Sequence, residues 1–220
     1  MALGIWFVFG AFVQRGPRFT EVLALPLDGA TEASIRVRFG AGDLRTRTAT
    51  AGHLVDGSFL GGVVHRLQGA GRLELEQDTS RGLPWLSHRS TWTVGLTGEV
   101  PLELRVDAGA SRNVLDLRDL QVRTLELQTG ASETRILLPR AAGVTNVRAQ
   151  TGAASLTLEI PDGVLARIRT RVVLGDVQVD EARFPRMTGG YESPGYAAAA
   201  NRVEIDVQGG VGSLRIRGTS

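Results

Sequence analysis

LELRVDAGASRNVLDLRDLQVRTLELQTGASETRILLPRAAGVTNVRAQTGAASLTLEI, residues 102–160, carries the pattern that decides the fold. Three near-copies of a small-residue corner, Gly109-Ala-Ser111, Gly130-Ala-Ser132 and Gly152-Ala-Ala154, recur 21 and then 22 residues apart. Each follows a run ending at Val106, Leu127 or Val147 and precedes Leu115, Ile136 or Leu158 at matching offsets. A fixed period near 20 to 25 residues marks a solenoid or stacked array, in which no unit buries its apolar face alone. Two to three short strands fit one unit, because a strand residue advances only ~3.3 Å. Glycine is expected to give each corner a positive φ, and the adjoining Ala and Ser to let neighbouring coils approach. Equivalent Leu, Ile and Val should then stack in columns.

The same two-residue alternation extends in both directions. Ile35-Arg-Val-Arg-Phe39, Leu73-Glu-Leu-Glu76, Val203-Glu-Ile-Asp-Val207 and Leu214-Arg-Ile-Arg217 place one face in a core and the other in water. An early copy of the corner lies in Phe39-Gly-Ala-Gly-Asp-Leu44, a degenerate fourth at Gly175-Asp176, and a fifth at Gly210-Val-Gly-Ser-Leu214. Helix is almost absent; Ala197 to Arg202 offers a turn or two. The predicted fold is all-β, a repetitive solenoid-like stack, with an antiparallel β-sandwich as the alternative that the alternation also satisfies. Residues 1–18 form an apolar segment, 19–98 a less regular β subdomain, and 99–217 the repeat subdomain, with the change near Glu99-Val-Pro101. The insert from Phe184 to Asn201 is expected to project from the stack, where specific contacts concentrate. Its Arg186, Tyr191, Glu192 and Tyr196 are the candidate partner-binding residues.

Composition removes several classes of function. Hydrophobic residues make up 42% of the chain, enough to offset the entropy of ordering it. Cysteine is absent, so disulfides and thiolate chemistry are excluded. All 25 basic residues are Arg, set against 23 acidic ones, and they alternate with acids rather than cluster. A mixed-charge sheet surface follows, with no nucleic-acid footprint.

Met1 to Val13 is a continuous apolar run, short of the ~20 residues a spanning helix needs. It lacks the basic n-region and cleavage site of a secretory signal. It reads as the tail of a transmembrane helix, an interfacial anchor or a buried cap. Arg15 and Arg18 behind it favour a cytoplasmic position for the β body.

No motif assembles a reaction. His53, His65 and His88 lack partners at metal-ligand spacing. Ser111, Ser132 and Ser155 recur with the corner, so a turn role explains them better than nucleophilic attack, and no G-x-S-x-G is present. Gly40-Ala-Gly42 and Gly69-Ala-Gly71 begin a phosphate-cradling pattern without the third Gly or the helix. Asp116 and Asp119, with Asp107 nearby, offer an acid and base pair, but Asp116 lies between strand leucines and should face water. No catalytic residue, cofactor, metal or small-molecule substrate is expected.

The ordered motifs Val100-Pro-Leu-Glu-Leu-Arg-Val106, Gly109-Ala-Ser111, Leu125-Glu-Leu-Gln-Thr-Gly-Ala-Ser132, Ile160-Pro-Asp-Gly163, Tyr191-Glu-Ser-Pro-Gly-Tyr196 and Gly210-Val-Gly-Ser213 resemble the toast-rack domain of bacterial LiaF-like membrane proteins. The resemblance covers roughly Phe19 to Arg217. It implies a β-rich, solenoid-like domain behind amino-terminal transmembrane helices, tied to the response to cell-wall-active antibiotics and envelope stress. It also implies no enzymatic activity or cofactor, and a membrane protein partner such as a sensor kinase under negative regulation. The competing expectation is an adhesin-like module that pairs with itself.

Overall fold

A computed structural model of the chain describes residues 20–78 and 90–219. Its strands are β1 (Thr20–Pro26), β2 (Ala33–Thr48), β3 (His53–Leu60), β4 (Val63–Gln68), β5 (Arg72–Gln77), β6 (Ser90–Leu96) and β7 (Leu102–Asp116). They continue with β8 (Val122–Thr129), β9 (Ser132–Leu137), β10 (Val144–Pro161), β11 (Leu165–Val179), β12 (Arg186–Met187), β13 (Gly190–Glu192) and β14 (Arg202–Thr219). One 3₁₀ turn, Tyr196–Ala198, falls where the sequence suggested a short helix.

The long strands bend. In β7 the buried positions are 102, 104, 106 and 108 before the corner and 111, 113 and 115 after it, so the inward-facing parity flips at Gly109-Ala110. β10 and β14 switch parity in the same way, and β8 and β9 do so as a pair broken at Gly130-Ala131. Each coil is therefore a two-limbed strand, and the inward faces of both limbs join one apolar core.

Coils pair in parallel, which sets aside the antiparallel sandwich. The first limbs lie in the order β5, β2, β7, β8, β10, β14, β11, and the second limbs in the order β6, β2, β7, β9, β10, β14, β11. Register places Leu73, Ile35, Leu104, Leu125, Val147, Ile205 and Ile168 in a single inward column, all fully buried. On the second limb Leu115, Ile136, Leu158 and Ile216 form the matching column. Burying such side chains contributes about 1.5–3 kcal/mol each. The outward column of the first limb reads Glu74, Arg36, Arg105, Glu126, Arg148, Asp206 and Arg169, a charge ladder mostly of alternating sign.

Two sequence expectations change here. Spatial order departs from chain order at both ends: β5 and β6 follow β2 in sequence yet lie outside it, and β14 inserts between β10 and β11. The Gly210 copy is thus an inner coil and the Gly175 copy the terminal one. Secondly, Gly109, Gly130 and Gly152 do not take positive φ, unlike Gly42, Gly175 and Gly212. Their constraint is space. A methyl on Gly109 would collide with the carbonyl oxygen of Gly40, and one on Gly152 would sit 3.1 Å from that of Gly130.

At the amino-terminal end Trp92 packs against Phe39 and edge-on to Phe59, with ring centroids 5.2 and 5.0 Å away. β1 and β3 extend the second limbs by antiparallel pairing, and β4 covers β5. Gln77 completes the corner of β2: its carbonyl accepts from Gly40 and Ala41 N–H at 2.8 and 3.1 Å, and its amide donates to Ser90 Oγ at 2.6 Å. β2 and β7 pair in register across the Glu99-Val-Pro101 change. Met1 to Val13, Arg15, Arg18, Trp85 and His88 lie outside the described residues, and no helix among the described residues is long and apolar enough to cross a membrane.

Candidate functional site

The insert after β11 folds back instead of projecting. Thr188 and Gly189 turn β12 into β13, which runs antiparallel along the outer side of β11 and pairs Glu192 with Arg167 and Tyr191 with Ile168. Ser193 extends that pairing by one residue, because its N–H donates to Ala166 O and its hydroxyl accepts from Ala166 N–H. Apolar demand explains the fold-back: Phe184 is fully buried and Tyr191 and Tyr196 are 8% and 6% exposed, filling the side of the terminal coil that no further coil covers.

The four predicted contact residues meet in this cap. Arg186 lies over the Tyr191 ring, 5.1 Å from its centroid, and donates to the Tyr191 hydroxyl at 2.9 Å and to Glu181 at 3.2 Å. Glu192 accepts from Arg167 at 2.6 Å, and the same guanidinium covers the Tyr196 ring at 4.5 Å. Burial pushes the Tyr196 phenol above its usual range, with the charge of Glu204 adding to the effect. Arg186 is the most exposed of the four, beside the exposed Met187.

Beyond this cap β11 has a free outer edge. Among the described residues its outer side is paired only from Ala166 to Ile168, while its inner side pairs with β14 up to Val179. Val173 and Leu174 are 75% and 65% exposed on it, next to the half-exposed Val211 of β14.

The acids and hydroxyls are dispersed. Asp116 faces outward and takes two hydrogen bonds from the Arg118 guanidinium, at 2.9 and 2.7 Å, and a third from its backbone N–H at 3.3 Å, which hold its carboxyl below the usual range despite partial burial. Asp119 pairs with Arg140, and Asp107 with Arg36 and Arg105. Ser111 and Ser132 share a row, but the 22-residue step puts Ala154 in that row and shifts Ser155 outward, where its hydroxyl meets that of Ser213 at 2.8 Å. His65 stands exposed on β4, and the His53 ring lies 3.2 Å from Ala51 O. No group of three or more His, Asp and Glu among the described residues could hold a metal.

Two side chains that sequence reasoning passed over anchor the coils. Glu159 occupies an outward position yet is 3% exposed, because Arg135 of β9 and Arg217 of β14 close over it. Burial alone would raise its pKa, but the hydrogen bonds from both guanidinium groups outweigh it and hold the carboxyl below the glutamate range. Arg183 donates to the carbonyls of Ile160, Pro161 and Val164, tying the insert to the turn after β10. Glu159 reads in the sequence as one more polar position of a regular alternation, and Arg183 as a turn residue after β11.

A family model described as the N-terminal domain of toast_rack, DUF2154, matches residues 15–159. The chain belongs to the toast-rack N-terminal domain family. Among solved structures, a Clostridium sporogenes protein described as a candidate cell adhesion protein is 19% identical to this toast-rack chain. That match covers 92% of the present chain and 100% of the other, with a TM-score of 0.82, and it shows the same fold. A Bacteroides fragilis protein described as a candidate adhesin is 10% identical, covering 92% of this chain and 98% of its own, at a TM-score of 0.40. No curated protein matches the toast-rack sequence.

Proposed function

We propose that the chain is a non-enzymatic scaffold at the bacterial envelope whose terminal coil binds a membrane protein partner, with a sensor kinase as the partner class the family resemblance favours. The β body would stand on the cytoplasmic face, joined to the membrane through the apolar residues before Gln14. One observation carries the reading: among the described residues the outer edge of β11 is unpaired beyond Ile168 and presents Val173 and Leu174 to solvent. Such an edge offers a row of backbone donors and acceptors to an added strand. Arg186 and Glu192, with the rings of Tyr191 and Tyr196 behind them, would orient whatever docks there.

Because the chain has no cysteine, a photo-crosslinking residue or single introduced thiol reports one position at a time. The reading expects crosslinks to a sensor kinase from Leu174 in native membranes, and none from the exposed Glu133 on β9. Equal yields from both positions, or no kinase product from Leu174, would contradict it.

A second reading is self-assembly, in which the β11 edge pairs with another copy. The same exposed edge favours it, and the description of the Clostridium sporogenes neighbour as a candidate adhesion protein is consistent with it. Light scattering across concentration separates the two, since a strict monomer excludes the second.

A further inference from the structure

A groove of about 920 Å³ runs along the corners of the stack, crossing every coil from β5 to β11. Along it lies one outward column in register: Glu76, Arg38, Asp107, Gln128, Gln150, Gln208 and Arg171. Its centre is three consecutive glutamines, one per coil, repeating at the inter-strand distance of ~4.8 Å. The exposed side-chain amides of Gln128 and Gln150 hydrogen-bond to nothing among the described residues. The floor is the glycine row at positions 109, 130, 152 and 210, where no side chain obstructs approach to the backbone. Thr129, which also lines the groove, is 8% exposed, and its buried hydroxyl has no hydrogen-bond partner among the described residues.

The chemistry of the lining selects among polymers. Carboxamides both donate and accept, which suits hydroxyl groups. Charge does not favour an anion: Arg38 is matched by Glu74, Glu76 by Arg66, and Asp107 by Arg36 and Arg105, leaving Arg171, at the β11 end, as the column's one charge without an ion pair among the described residues. An extended peptide laid along the groove would run across the strands, whose backbone groups are already engaged between coils, so it could not add to the sheet. A linear glycan advances per sugar by about one inter-strand spacing, and so meets the same amide at every coil. We propose that this groove binds an uncharged linear polysaccharide along the stack axis, one sugar per coil. With no exposed aromatic ring in the lining to stack on a sugar, each subsite is weak and affinity accumulates with chain length. The inference is independent of the β11 edge, since Gln150 and Gln128 lie two and three coils away from it.

Affinity electrophoresis of the full chain through hydroxyethyl cellulose, with calorimetric titration of cello-oligosaccharides of increasing length, tests this. Retardation and an affinity that rises with each added sugar are expected. Gln128→Ala with Gln150→Ala, both on exposed side chains, should weaken binding about tenfold, or about 1.4 kcal/mol, with an unchanged melting temperature. The proposal is overturned if no glycan binds, if the double variant keeps parental affinity, or if carboxymethyl cellulose or an extended peptide binds as tightly as the neutral polymer.

Discussion

Glu159 shows how one residue can depend on three coils at once. Its carboxylate accepts from Arg135 at 2.9 and 3.0 Å and from Arg217 at 3.1 Å, so β9, β10 and β14 are joined by charge as well as by backbone pairing. Both arginines stay about half exposed, which limits the gain. Glu159→Gln should cost about 1–3 kcal/mol at neutral pH. Folding lowers the pKa of this group, so its contribution is complete above the ordinary glutamate range of ~4.3 and fades as pH falls through the lower folded value. Urea midpoints should therefore separate parent and variant at neutral pH and converge in acid; a gap that persists in strong acid would refute the assignment. The corner glycines give a second test. Gly109→Ala forces a methyl against the Gly40 carbonyl and should cost about 1–3 kcal/mol. Gly130→Ala meets the Gly109 carbonyl at 3.4 Å, an ordinary contact, and should stay within about 0.5 kcal/mol of the parent. Similar losses at both sites in thermal melts would mean that backbone conformation, not space, selects glycine.

At the scale of elements, β14 matters most. It pairs with β10 from Val144 to Pro161 and with β11 from Leu165 to Val179, so among the described residues β11 joins the strand ladder of the stack through it, with Arg183 as a further tie to the turn after β10. Removing residues 202–220 should leave β11 without its long partner, and near-ultraviolet dichroism from Tyr191 and Tyr196 should vanish while the Trp92 signal survives. A retained tyrosine signal would show that β11 can dock on β10 directly. The repeating coils themselves were legible in the sequence, because alternation and the small-residue corner are local patterns that set strand, bend and inward face together. Their order was not. Val203-Glu-Ile-Asp-Val207 and the run from Leu165 carry the same alternation, and nothing local tells a middle coil from an end one. The fold-back of the insert escaped for a related reason: in the sequence Tyr191 and Tyr196 suit either a contact surface or a cap on the stack, until the uncovered side of β11 shows what they fill.

For the whole molecule the two ends differ. β1 and β4, short edge strands, stand at the amino-terminal end, and among the described residues the opposite end stops beyond Ile168 at the long strand β11, carrying Val173 and Leu174. A lysine there should block any strand addition, since edge charges are a common guard against it. Leu174→Lys is expected to abolish concentration-dependent light scattering if the parent self-associates, and to abolish kinase crosslinking from a probe moved to Val173 if it does not. Loss of neither would place the contact elsewhere. The candidate site was only partly legible: the sequence named the residues around this edge, but which part of β11 is covered depends on pairing between distant segments.

The insertion of β14 between two strands made earlier also bears on biosynthesis. A simple repeat array can grow coil by coil as it emerges from the ribosome. Here the slot between β10 and β11 stays empty until Thr219 has been polymerised, so nascent chains must hold an open, adhesive gap until translation reaches that point. Chaperone occupancy should peak in that interval, and a stalled ribosome would leave the gap unsealed.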